Sequence, residues 1–167
     1  FEVEGRPRPL QSPESVVQSF WVSPDYLKAM GIPLLQGRAF TEADRMQRPP
    51  LLIINETMAR SVFPDGGALG KRITLGYPRG AREIIGVVRA VRTLNLEQAP
   101  RMEIFFPYPQ GRTPPTTLAI RTLGDPMAMA SAVRVAIGRL DESLPPYDVK
   151  TLEQRVSDSV APRRFLV

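Results

Sequence analysis

The sequence predicts an α+β fold in two lobes, on three observations. About seven strand-like runs and four short helical patterns follow one another without strict strand-helix alternation. Hairpin-like pairs occupy the middle, with helix-strand units toward both ends. The strongest helices fall in the first thirty and last forty residues, so a strand-rich middle inserted into a split outer lobe accounts for the layout. A chain of 167 residues buries roughly 70% of its unfolded surface, and needs no staple.

In order, Phe1 and Val3 alternate with Glu2 and Glu4, the period of a half-buried strand. Residues 5–13 hold three prolines and form a connector. Residues 15–22, rich in Val, Phe and Trp, predict a second strand. Ser23-Pro24 predicts a helix start, serine as cap and proline at the first helical position. Tyr26, Leu27 and Met30 share a face of that helix, and Gly31 ends it. Residues 32–50 read as irregular, with Gly37-Arg38-Ala39-Phe40 leading into the cap-like Thr41-Glu42-Ala43-Asp44.

The run Leu51-Leu52-Ile53-Ile54 predicts a short apolar strand, and Asn55 caps two helical turns closed by Phe63-Pro64. Asp65-Gly66-Gly67 is a turn. Residues 71–76 and 82–92 predict a hairpin joined by Tyr77-Pro78-Arg79-Gly80. Ile84 to Val91 is nearly continuous apolar sequence, as in a central strand, and Gly86 within it predicts a bulge or a close backbone approach. Residues 102–106 and 116–122 predict two further strands. Asp125-Pro126 starts a helix over 126–140 with a stripe of Ala130, Val133, Ile137 and Leu140. After a break at 141–146, residues 147–150 read as a short strand. Thr151-Leu152-Glu153-Gln154 is a capping box opening a last helix to about Val160.

Composition excludes several chemistries. The chain has no Cys and no His, so no disulfide, thiol nucleophile, Ser-His-Asp triad or His-ligated zinc can be built from it. The net charge is +5, carried almost wholly by arginine, since Lys28, Lys71 and Lys150 are the lysines. Arg6, Arg8, Arg38, Arg60, Arg82, Arg101, Arg121 and Arg139 are scattered, without the basic stripe and interleaved aromatics of a nucleic-acid binder. No apolar run approaches the roughly 20 residues that span a bilayer. The start at Phe1 and the stop at Phe165-Leu166-Val167 read as a piece excised from a longer protein.

Four groups invite a site and argue against one. Gly70-Lys71 has the end of a phosphate loop, but Asp65 stands where the first glycine belongs and Arg72 where the hydroxyl belongs. Glu42 with Asp44, and Asp141 with Glu142, read as solvated surface acids, because catalytic carboxylates need apolar or like-charged surroundings. A serine nucleophile would need a lysine base, and no serine lies at a telling spacing from Lys28 or Lys71. Trp21, Phe105, Phe106 and Tyr108 read first as core aromatics at strand positions. Phe105 and Phe106 point to opposite faces of one strand, so either both faces are covered or one ring is open to a partner. No catalytic, metal or cofactor residue is assigned.

The order of motifs carries a resemblance. Apolar strand, Asn55-Glu56, Ala59-Arg60, Phe63-Pro64, Leu69-Gly70-Lys71 and Gly86-Val87-Val88 follow Val22-Ser23-Pro24-Asp25-Tyr26-Leu27 with Gly31-Ile32, and Gly37-Arg38-Ala39-Phe40. The segment 100–107, Gly124-Asp125-Pro126, and Leu140-Asp141 to Pro145 come after, the last with Glu142 where proline is usual. Over nearly the whole chain this resembles the MacB-like periplasmic core domain of FtsX-type ABC transporter permeases, and most the duplicated orphan permeases of soil bacteria.

The resemblance implies a porter-like lobe from 1–36 and 104–162, incomplete at its start, a strand-rich insertion at 37–103, and the beginning of a membrane-proximal segment at 163–167. It implies a non-enzymatic domain on the outer side of a bacterial inner or cell membrane, facing the periplasm and coupling cytoplasmic ATP hydrolysis to movement outside. The implied partners are an ABC ATPase subunit or domain, a second permease copy in a homodimer or pseudo-dimer, and a periplasmic partner protein. Flanking helices absent from this chain would hold it to the membrane, and neither cofactor nor nucleic acid is implied. The alternative is an extracytoplasmic sensory module that binds a small ligand.

Overall fold

A computed structural model describes residues 1–4, 17–45, 50–76, 79–91, 99–108, 117–143 and 145–160. The connector at 5–13, Tyr77-Pro78 and the segment 163–167 lie outside them. The fold is α+β, as the sequence predicts, and divides into two compact units, Phe1–Ala119 and Ile120–Val167.

The first unit is a seven-stranded mixed sheet. Its strands are β1 (Glu2–Val3), β2 (Gln18–Val22), β3 (Leu34–Gly37), β4 (Leu51–Asn55), β5 (Arg72–Leu75), β6 (Gly80–Val88) and β7 (Glu103–Pro107). They run in the order β1-β5-β6-β4-β7-β2, with β3 also on β6. β4 is parallel to β6 and β2 to β7, while the other pairs are antiparallel. Strands β1 and β2, from the expected outer lobe, therefore share one sheet with the strands of residues 37–103.

Alternation along β4 and β7 sorts the core into two layers. Leu52, Ile54, Ile104 and Phe106 face one side, where α2 (Glu56–Val62) lays down Met58 and Val62 beside Phe63 and Ile73. Leu51, Ile53 and Phe105 face the other, against Val22, Leu27 of α1 (Tyr26–Met30), Ile32 and Phe40. Burying each such aliphatic side chain stabilises by about 1.5–3 kcal/mol. Both rings of the Phe105-Phe106 pair are 1% exposed, so both sheet faces are covered there.

Local signals behave as their chemistry predicts. Gly31 ends α1 at φ 67°, where a side chain would be strained. The Asn55 side chain accepts the Met58 N–H at 3.0 Å, capping α2. Ser23 is not a side-chain cap, however: α1 starts after Asp25, and the Tyr26 N–H donates to the Ser23 carbonyl at 3.1 Å.

Gly86 is at once a bulge and a close approach. The β4–β6 register passes from Leu52↔Ile84 to Ile53↔Gly86, leaving Ile85 as the extra residue. A Cβ on Gly86 would lie 2.6 Å from the Arg38 carbonyl oxygen. β3, which corrects the expectation of irregular chain at 32–50, pairs with β6 at this point. Its Gly37 has φ 73°, and a Cβ there would come 2.1 Å from the Ile85 carbonyl oxygen. All four residues of β3 are exposed, so the ladder rather than an apolar face holds it.

The second unit contains a 3₁₀ turn at Pro126–Met129, α3 (Ala130–Leu140) and α4 (Leu152–Val160). The Asp125 side chain accepts the Met127 N–H at 2.9 Å, starting the helical run. The capping box is complete: Gln154 N–H donates to Thr151 Oγ1 at 3.1 Å, and Thr151 N–H to Gln154 Oε1 at 2.9 Å. The expected strands at 116–122 and 147–150 do not form among the described residues. A strand exists only by its ladder, and neither segment has one, so Leu118 and Ile120 stay exposed. No residue of α3 is buried.

Candidate functional site

The Asn55-Glu56 pair is the polar hub of the sheet. Asn55, fully buried, ends β4, and its side chain reaches the start of β7. Besides capping α2, its amide donates to the Arg101 carbonyl at 2.7 Å and to Glu103 Oε2 at 3.2 Å, and its oxygen accepts the Glu103 N–H at 3.2 Å. Every polar atom of the asparagine side chain is thus committed to holding strand to helix. Glu56 accepts the Ala90 N–H at 3.1 Å, tying the exit of β6 to α2, and pairs with Arg60 one turn on. Burial, and after it the negative charge of Glu103, push the Tyr26 hydroxyl above its ordinary pKa.

Asp44 overturns the reading of solvated acids. It is buried, and Arg38 grips it through both guanidinium ends, Nη1 to Oδ2 at 2.7 Å and Nη2 to Oδ1 at 2.9 Å. Thr41 adds its N–H at 2.7 Å and its hydroxyl at 3.0 Å. The Arg38 hydrogen bonds, with Thr41 assisting against burial, lower the Asp44 pKa to about 2. A carboxylate held so far below neutrality is a fixed anion, unsuited to proton transfer near pH 7. The signal was the Thr-x-x-Asp cap pattern directly after Gly37-Arg38-Ala39-Phe40, legible as a turn but not as an ion pair.

The remaining groups are also committed to the fold. The Gly70 N–H donates to the Ile84 carbonyl at 2.9 Å and the Lys71 N–H to the Ala68 carbonyl at 3.2 Å, so neither amide is left to cradle a phosphate. Asp141 is an exposed acid whose pKa the Ser143 hydroxyl and N–H lower. Lys150 pairs with Asp158 at 3.0 Å and Asp148 at 3.3 Å, contacts that raise its pKa and so disfavour the neutral amine a serine nucleophile needs. Among the described residues no three acidic side chains converge to hold a metal ion. Tyr108 follows β7, with its N–H on the Val22 carbonyl at 2.9 Å. Trp21 alone of the aromatic candidates stands substantially open, 40% exposed, its ring tilted against buried Phe106 at 5.2 Å.

The geometry therefore places the motif residues in the framework. Comparison with known proteins gives the family. The chain is 29% identical over 150 residues to a macrolide export ATP-binding/permease protein MacB of Paracoccus denitrificans, covering 90% of this chain. It spans only 20% of that relative's length. Its fold matches the periplasmic region of MacB from Actinobacillus actinomycetemcomitans with a TM-score of 0.53 at 19% identity, over 73% of this chain and 56% of that one. The model of the MacB-like periplasmic core domain matches residues 3–140. With that match over most of its length, and with its motif residues locking strands to helices, the chain belongs to the MacB-like periplasmic core domain family.

Proposed function

We propose that the chain is the extracytoplasmic part of a bacterial ABC transporter permease and that it transmits movement without catalysing a reaction. ATPase domains on the cytoplasmic side move the membrane helices, and these displace paired extracytoplasmic domains relative to one another. The observation that carries this reading is the commitment of polar groups to rigid joints: Asn55 and Glu56 each bridge distant segments, and Arg38 with Asp44 closes the loop that follows β3. A domain that transmits displacement must deform less than the hinges that drive it, and closed hydrogen-bonded joints in a close-packed core provide that stiffness.

The proposed partners are an ABC ATPase, a second permease copy and a periplasmic protein. The proposed location is the outer face of the inner or cell membrane. No helix among the described residues is long and apolar enough to cross a membrane; the proposal assigns anchoring to flanking segments of the parent. Residues 120–162 would contribute to a porter-like lobe that other segments complete, and 163–167 would lead to the membrane.

The test is to cross-link the paired extracytoplasmic domains in the full-length permease with engineered cysteines, this region having none of its own. Oxidation should abolish ATP-coupled transport and reduction should restore it. Transport that proceeds unchanged through a verified cross-link would overturn the mechanical reading.

A further inference from the structure

Strand β3 is an edge that the first unit leaves open. Among the described residues it pairs on one side only, with β6. A strand paired on one side presents unpaired N–H and C=O groups on the other, and natural edges refuse a further strand with charge or proline. The residues of β3, Leu34-Leu35-Gln36-Gly37, carry neither, and all four are exposed. Leu69, also exposed, extends the apolar surface: a Cβ on Gly37 would lie 2.9 Å from its Cδ2. Three leucines thus stand in water along one unpaired edge.

The charges at its two ends select the occupant. Lys71 marks one end: its carbonyl accepts the Ile84 N–H at 2.9 Å, next to the Ile85 carbonyl that accepts the Arg38 N–H at 3.0 Å. Arg89 marks the other, its N–H on the Pro33 carbonyl at 2.9 Å. Both side chains are exposed, and neither has an ion pair among the described residues. The other nearby cations are already answered, Arg38 by Asp44 and Arg72 by Glu83 opposite it in the ladder. Ile84 to Arg89 spans roughly 15 Å of bulged strand. An apolar edge between two unanswered cations fits an extended segment with an apolar centre and a carboxylate at each end. A second copy fits badly, because two β3 edges paired in either direction set cation against cation at both ends.

We propose that β3, with Leu69, Lys71 and Arg89, is a docking edge for an extended acidic segment of another protein, which adds to the sheet as a short strand. The edge lies wholly within the first unit and does not depend on force transmission, so failure of either reading leaves the other standing.

The test follows the backbone amide signals of the isotope-labelled 167-residue chain during titration with the capped pentapeptide Glu-Val-Thr-Val-Glu. The amides of Leu34–Gly37 should shift saturably, and those of α3 and α4 should stay in place. Glutamine at both ends of the peptide should weaken binding about three- to tenfold. N-methylation of its three central residues should abolish binding, because the N–H groups that pair with an edge are then gone. Lys71→Glu combined with Arg89→Glu should weaken binding of the acidic peptide at least about tenfold. Absence of a saturable shift at β3 overturns the proposal, as does equal binding by either control peptide or by the folded double variant. Shifts at β3 that follow protein concentration without peptide would make a second copy the occupant and overturn it equally. Should the double variant fail to fold, the peptide comparisons on the unaltered protein still decide.

Discussion

Asp44 shows how a single residue can change role once its neighbours are in place. On the sequence it belongs to a polar loop; in the fold its side chain is 1% exposed and shared between Arg38 and Thr41. Its pKa falls from 3.8 to about 2. A carboxyl depressed on folding contributes stability that is whole above the unfolded value, near 3.8, and is lost as pH falls through about 2. Because Arg38 is itself about half exposed, the contribution is about 1–2 kcal/mol, discounted for solvent screening. Denaturant midpoints for the wild type and Asp44→Asn should therefore differ more at pH 5 than at pH 2. An equal difference at both would show that the carboxylate is not the origin. Asn55 is the opposite case: its capping role was legible because an asparagine before a helical pattern has few better uses. Its second role, pinning Glu103, depends on a residue 48 positions away and left no local trace.

At the scale of elements, the glycines decide where strands can meet. Gly37 and Gly86 let β3 cross the bulged part of β6 at backbone distance, with Arg38 N–H on the Ile85 carbonyl at 3.0 Å. Gly37→Ala combines a left-handed φ with a Cβ driven into a carbonyl, and should cost about 2–5 kcal/mol. Gly66→Ala, at a similar φ but with open space around it, should cost only about 1–2 kcal/mol. Chemical denaturation of the two variants checks the order, and equal losses would remove the steric explanation. The bulge at Gly86 was readable because glycine inside a strand pattern has few other reasons to be there. β3 was not readable: Leu34-Leu35-Gln36-Gly37 lacks alternation, and β6 alone gives it a ladder. The failure at 116–122 is the mirror image, an alternating pattern whose ladder is missing among the described residues.

Across the whole molecule the stabilising core is unevenly distributed. Among the described residues, every buried side chain, from Val3 to Phe106, lies in the first unit. The helices of the second unit are fixed locally by their caps and by ion pairs such as Arg155–Asp148 at 2.9 Å, contacts worth about 0–1 kcal/mol each at a surface. Residues 1–119 produced alone should therefore unfold cooperatively with a midpoint within a few degrees of the 167-residue chain. Calorimetry decides this, and loss of the cooperative transition on truncation would mean that the second unit supplies core stability.

The sequence by itself determined the fold class, the helix caps at Asn55 and Thr151, the stop at Gly31 and the family, because each rests on residues adjacent in the chain or on motifs in fixed order. Tertiary structure alone decided that β1 and β2 join the central sheet, that Asp44 is buried, and that Arg82 reaches Phe106 over an intervening strand. These outcomes depend on which distant segments meet. Burial, electrostatics and β pairing take their values from those neighbours and leave little mark on the local pattern.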